Sequence, residues 1–180
     1  VYSNKRDRVL IGFVVFVVVY SILSNVWASS YKWNLIGPPT ARVLNFAVDP
    51  LNEDTIYVGT WDGFYKSTDG GLSWREPNPF FINNIPSIGV SKSNPNVVYV
   101  GSYTGGWGNG CLYKSTDGGN SWSSLRLNGV YFCGDIEEIA VSDNDSSVLI
   151  VRTLSNLYKS TDGGNSWTLI QSCSSNTPCP

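Results

Sequence analysis

Residues 9–28, VLIGFVVFVVVYSILSNVWA, form one uninterrupted apolar run without a charge. As a helix rising ~1.5 Å per residue it spans about 30 Å, the thickness of a bilayer core, and is expected to cross a membrane. Beyond it the period changes. NFAVDPLNEDTIYVGT, SIGVSKSNPNVVYVGS and EIAVSDNDSSVLIVRT each place alternating apolar residues, a polar turn and a second β-branched run in the same order. That alternation predicts paired strands with one face buried. Each pair is followed by Leu/Phe-Tyr-Lys-Ser-Thr-Asp-Gly-Gly-x-Ser-Trp, at Phe64 to Trp74, Leu112 to Trp122 and Leu157 to Trp167. The copies recur after 48 and then 45 residues, the length of a four-stranded unit. Strands A, B, C and D are therefore expected three times over, with the Ser-Thr-Asp-Gly-Gly segment closing the C-to-D hairpin.

The hairpin composition has a local physical cause. An aspartate can accept hydrogen bonds from nearby amides, and the second glycine can take positive φ at no steric cost. Ser67, Asp69 and Gly71, then Ser115, Asp117 and Gly119, then Ser160, Asp162 and Gly164, are expected to lock three tight turns. Trp74, Trp122 and Trp167 follow, each large enough to anchor one sheet against the next.

The pattern S-x-D-x-G-x-S-W in these three copies resembles the Asp-box, or BNR, motif of β-propellers. The motif occurs in sialidases, xyloglucan-degrading glycosidases, the sortilin luminal domain and photosystem II assembly factors. The resemblance covers roughly residues 31–172 and implies an all-β fold: a partial or open propeller of about three four-stranded blades behind an N-terminal transmembrane helix. It also implies that the box residues are structural staples away from the functional face. A complete propeller has ~4 to 8 blades, more than three A-to-D sets supply. Lys32-Trp33-Asn34-Leu35-Ile36 aligns with Ser166-Trp167-Thr168-Leu169-Ile170 and reads as an orphan outer strand. Closure by further sequence, closure by other chains, and an open array with protected edges all remain open on this reading. The expected layout is a basic segment 1–8, the membrane helix 9–28, a linker with the orphan strand 29–41, three blades 42–172 and a Cys-bracketed tail 173–180.

Charge and composition narrow the function. Lys5, Arg6 and Arg8 precede the apolar run, and the positive-inside rule places them in the cytoplasm and the repeats on the extracytoplasmic side. Tyr20 and Trp27 suit a headgroup boundary. A cleaved signal ending at Val26-Trp27-Ala28 is the rival, opposed by a run longer than the usual ~7 to 15-residue signal core. The formal charge is −2, and the three cations and one anion of residues 5–8 leave the remainder at −4, so nucleic acid is not expected as a partner. With no histidine among 180 residues, Ser/His and Cys/His catalysis and His-ligated metals are excluded. Cys111, Cys133, Cys173 and Cys179 all follow the apolar run and fit an oxidising compartment. Pairing Cys111 with Cys133 and Cys173 with Cys179 is the expected one of three connectivities. No metal site or cofactor is expected.

On a propeller blade the B-to-C and D-to-A loops share one face, and here those loops are aromatic. Trp61, Phe80, Phe81, Tyr103, Trp107, Tyr131 and Phe132 are the candidate partner-binding residues, since aromatics on loops mark contact sites. The acidic cluster Asp135, Glu137 and Glu138, with Asp62 nearby, is the best carboxylate group, but a glycosidase needs two at a defined separation. No catalytic residues are assigned. Asp143-Asn144-Asp145 is a plain A-to-B turn by alignment. The reading is a noncatalytic accessory subunit, held in the lipid bilayer by residues 9–28, that stabilises or helps assemble other subunits of a membrane complex; the resemblance implies a photosynthetic or other energy-transducing one. A surface glycan-binding or glycosidase-related protein is the alternative. A pilin-like filament subunit is a third, opposed by the charges at Lys5, Arg6, Asp7 and Arg8.

Overall fold

The computed structural model describes residues 37–38, 42–76, 84–103, 111–127, 130–131 and 135–172. The expected membrane helix, the orphan strand at 32–36 and the tail 173–180 lie outside them. Among the described residues every regular element is a strand, and no helix is long and apolar enough to cross a membrane.

Three antiparallel blades follow in sequence. Blade 1 is β1 (Val43–Asp49), β2 (Asn52–Thr60) and β3 (Phe64–Ser67). Blade 2 is β4 (Ser87–Val90), β5 (Val98–Gly101), β6 (Leu112–Ser115) and β7 (Ser123–Ser124). A small hairpin, β8 (Arg126–Leu127) and β9 (Val130–Tyr131), separates it from blade 3. Blade 3 is β10 (Ile136–Val141), β11 (Leu149–Thr153), β12 (Asn156–Ser160) and β13 (Thr168–Ser172). Each blade is a meander in which chain neighbours pair, as short turns between strands require. The first strands of successive blades lie side by side.

In blade 1 the described residues hold three strands and, at the position of the fourth, one bridge from Lys66 to Arg75. The Asp143-Asn144-Asp145 segment is, as aligned, the turn between β10 and β11.

The cores lie between blades rather than within them. Tyr57, Phe64, Ile85, Ile88, Val98 and Val100 fill the space between blades 1 and 2, with Trp122 at its edge. Val97, Tyr99, Leu112, Leu125, Ile136, Ile139, Leu149 and Val151 fill that between blades 2 and 3, with Trp167 beside it. This explains why Val97-Val98-Tyr99-Val100 reads as a solid apolar run. Alternate side chains point to opposite faces of a strand, so β5 gives Val98 and Val100 to one core and Tyr99 to the other, joined there by Val97 just before the strand.

Glycine sets the spacing of each joint. A Cβ on Gly59 would overlap Ile85 of blade 2, and one on Gly101 would overlap Ile136 of blade 3. Both isoleucines are fully buried. Their amides also cross the joint, from Ile85 to the Thr60 carbonyl at 2.9 Å and from Ile136 to the Ser102 carbonyl at 3.2 Å.

Candidate functional site

The three boxes have one geometry. In the first, the Ser67 hydroxyl donates to Asp69 at 2.7 Å and accepts from the Gly71 amide at 2.8 Å. Asp69 then accepts from the Ser73 amide at 2.9 Å and the Ser73 hydroxyl at 2.5 Å. Ser115, Asp117, Gly119 and Ser121 repeat these bonds, as do Ser160, Asp162, Gly164 and Ser166. Both glycines of each box take positive φ, with values from 67° to 91°, where the sequence required it only of the second. Trp74 and Trp167 donate their indole N–H to the carbonyls of Gly71 and Gly164, both at 3.1 Å. Trp122 meets Phe64 of blade 1 edge to face at 5.1 Å. The three indoles are half-buried.

Hydrogen bonds to the ionised form favour it. The serine hydroxyl and amide at Ser73 hold Asp69 down to about 2, and those at Ser166 do the same for Asp162. Asp117 is held lower still by Ser121.

A further set of contacts joins blades 2 and 3 each to the blade before it. The Tyr57 hydroxyl and the Lys66 ammonium of blade 1 both donate to the Gly118 carbonyl, at 3.2 and 2.7 Å. In the next joint Tyr99 donates to Ser146 and Lys114 to Gly163, both at 3.0 Å. Each ammonium sits 5.6 Å from the ring of its tyrosine, close enough for a cation–π attraction. Burial pushes Tyr57 and Tyr99 up to about 12, helped by the charge of Asp49 on the first and of Asp145 and Asp162 on the second. Burial likewise lowers Lys66. The signal available in the sequence was the recurrence of Tyr-x-Gly at Tyr57 and Tyr99 and of Tyr-Lys leading into each box.

The boxes and their clasps are thus joinery, and the open chemistry lies at the opposite end of the strands. There Trp61, Asn84, Pro86, Tyr103, Glu137 and Arg152 line an open cleft of about 610 Å³ drawing on all three blades. Trp61 leaves the end of β2 on a turn closed by Thr60, whose hydroxyl donates to the Gly63 carbonyl at 2.9 Å and accepts from the Gly63 amide at 3.0 Å. Its indole is 52% exposed, with the Arg42 guanidinium 5.7 Å from the ring centre.

Asn84 ties the two aromatic loops together. Its amide donates to the Trp61 carbonyl at 2.8 Å, and its carbonyl accepts from the Tyr103 amide at 2.9 Å. It does so at a φ of 54°, a left-handed conformation that asparagine tolerates better than most residues. On the far side Arg152 binds the carboxylates of Glu137 and Glu138, the latter through Nε at 3.2 Å. The two adjacent acids therefore share one guanidinium, and the cleft offers an exposed indole, a phenol, a proline face and a partly neutralised ion pair.

Of the candidate contact residues, the structure brings Trp61 and Tyr103 together in this cleft. Tyr131 lies in β9, and Phe80, Phe81, Trp107 and Phe132 lie outside the described residues. Cys111, which precedes β6, is half-buried with its amide on the Ser102 hydroxyl at 2.8 Å; Cys133, Cys173 and Cys179 are outside the described residues. Asp135 is buried. No cluster of acids and cysteines that could hold a metal occurs among the described residues. Asn84, Pro86 and Arg152 were missed in the sequence, because a linker and a strand interior carry no motif.

The sequence profile of one family, described as Photosynthesis system II assembly factor YCF48, matches residues 26–175. No curated relative matches the chain in sequence. Among solved structures, YCF48 bound to a D1 peptide superposes with a TM-score of 0.62 at 18% identity, over 78% of this chain and 44% of that one. YCF48 from Cyanidioschyzon merolae gives 0.60 at 17% identity, over 79% and 42%. An ancestral GH74 enzyme gives 0.65 at 26% identity, over 76% of this chain and 19% of the enzyme. The chain thus spans under half the length of these structures, and the likeness concerns the fold.

Proposed function

We propose, from the premise that the chain belongs to the Photosynthesis system II assembly factor YCF48 family, that it is a noncatalytic assembly module whose cleft holds a peptide segment of a membrane-complex subunit. The observation that carries this reading is the pairing of an exposed indole at Trp61 with Tyr103, on loops fixed to each other through Asn84. A rigid aromatic pair loses little conformational entropy on binding, which is what an interaction hot spot needs. The D1 peptide bound by a YCF48 protein of the same fold supports a peptide as the occupant. In the same proposal residues 9–28 anchor the chain in the bilayer and the blades stand on the extracytoplasmic side.

The test is titration of the full chain with a labelled D1 peptide by fluorescence anisotropy. Replacing a central aromatic anchor by alanine costs about 2 kcal/mol, or about thirtyfold in Kd, so Trp61→Ala is expected to weaken binding by that order. Saturable binding of the peptide with equal affinity in Trp61→Ala would refute the site. The GH74 likeness and the open indole favour one second reading, a sugar ring stacked on Trp61; binding of xyloglucan oligosaccharides in place of the peptide would establish it.

A further inference from the structure

The ion triad on the far side of the cleft comes from an irregularity in strand pairing. Ile136 pairs with Thr153 and Glu138 with Arg152, so Glu137 is an extra residue and the two glutamates together oppose one arginine. This is a β-bulge, a device that re-aims side chains. Regular alternation sends consecutive side chains to opposite faces, whereas here both carboxylates reach the same guanidinium. The repeat does not call for such a triad. At the Arg152 position blades 1 and 2 have Gly59 and Gly101, paired with the uncharged Asn45 and Ser87.

The charges around the cleft do not cancel. Glu137 and Glu138 share one guanidinium, and the Glu138 side chain is 65% exposed, which leaves acceptor sites on its carboxylate for a ligand. Asp62 and Glu76 are exposed at the Trp61 turn, where Arg42 lies against the indole. Four acids thus face two cations, a surplus of two negative charges.

The rest of the lining is apolar or aromatic: the indole, the Tyr103 ring and Pro86. Apolar walls beside under-neutralised carboxylates match one class of side chain, a long aliphatic stem that carries a cation. Lysine and arginine lay their stems along apolar surface and keep the head on polar groups, and an indole face attracts a cation. Trp61 already takes such a contact within the chain, from the Arg42 guanidinium at 5.7 Å. A peptide carboxylate meets the opposite conditions, because the guanidinium that lines the cleft is already bound by two acids.

We propose that Glu137, Glu138 and Arg152 are the specificity residues of the cleft, and that they select a lysine or arginine side chain in the bound peptide segment. This rests on the reading of the cleft as a peptide site and adds the sign of the charge it accepts. The bulge at Glu137 is what sets that sign, since it brings a second acid to a guanidinium that one acid would neutralise.

The test is a charge scan. The full chain in detergent is titrated by fluorescence anisotropy with the labelled D1 peptide and with three series of it, in which each position in turn is lysine, glutamine or glutamate. At one position or two close ones, lysine is expected to bind about tenfold tighter than glutamine, the size of a hydrogen bond to a charged group, and glutamate weaker than glutamine. The lysine advantage should shrink between about 0.05 and about 0.5 M salt. In the double variant Glu137→Gln with Glu138→Gln the order should invert, because a glutamine oxygen still accepts from Arg152 while the unbalanced charge becomes positive. If circular dichroism shows that the double variant does not fold, Glu138→Gln alone is used and should cut the lysine advantage by about threefold. Equal binding of the three series at every position, with Trp61→Ala still weakening the peptide, overturns the charge selection and leaves the peptide site standing. Preference for glutamate in the unaltered chain also overturns it, as does a lysine preference that persists in a folded glutamine variant. Failure of every peptide to bind, or binding indifferent to Trp61→Ala, removes the peptide site and this inference together.

Discussion

Gly101 and Ile136 form the tightest contact between blades 2 and 3, and a size exchange across them tests the joint quantitatively. Ile136 is fully buried, and an added Cβ at Gly101 would overlap its Cβ and Cγ2. Ile136→Ala removes three carbons from a closed core, a change that costs about 2–5 kcal/mol. Gly101→Ala forces a methyl into the same space, with overpacking worth about 1–3 kcal/mol. In the double variant the overlap with Cγ2 is gone while the one with the retained Cβ stays, so the overpacking is relieved in part. The combined loss should therefore fall short of the two single losses added together by at least about 1 kcal/mol, the coupling expected of residues in direct contact. Urea titration of the full chain, followed by tryptophan fluorescence, reads the midpoints, and an unchanged slope keeps the comparison valid. Additivity within about 0.3 kcal/mol would refute the claim that glycine at this position exists to admit the next blade.

Three further outcomes follow from the boxes and clasps. Asp69, Asp117 and Asp162 are held below the ordinary carboxylate range of about 3.9. Their contribution is therefore complete above about pH 4 and is lost as pH falls toward the folded values, near 2 for Asp69 and Asp162 and lower for Asp117; the thermal midpoint should drop over that window, and less steeply when all three are changed to asparagine. Tyr57 and Tyr99 are raised to about 12, so the folded state favours the protonated phenol, and stability present below about pH 10 is lost as pH rises through about 12. Phenolate absorbance should show Tyr57 and Tyr99 ionising late, with one late phenol fewer in either Tyr→Phe variant. Tyr57→Phe should cost less than Tyr99→Phe, because Lys66 still serves the Gly118 carbonyl after Tyr57 is gone; urea midpoints in the reverse order would count against that clasp.

What the sequence made legible was whatever repeats. Three Ser-x-Asp-x-Gly-x-Ser-Trp copies carry the turn chemistry in contiguous residues, and alternating runs such as NFAVD and EIAVS locate the strands. The family assignment and the propeller-like superposition agree with that reading. Position in the repeat was harder to read than its presence. In blade 1 the described residues show one bridge, Lys66 to Arg75, where blade 3 has a five-residue outer strand. The cleft was half legible: Trp61 and Tyr103 stand out as loop aromatics, but Asn84 matters through its backbone and Arg152 through the strand beside it. Those roles depend on contacts between residues about 14 to 23 apart, made by strand pairing and loop packing, which a one-dimensional pattern does not contain.

Because each hydrophobic core is shared by two sheets and owned by neither, a lone unit of this kind has no interior, and stability belongs to seams. Excising Ile85 through Asp135, an unequal crossover between repeats, would put Ile136 in the place of Ile85, opposite Gly59, and regenerate one seam from the halves of two. Such architectures can change length by recombination at little thermodynamic penalty.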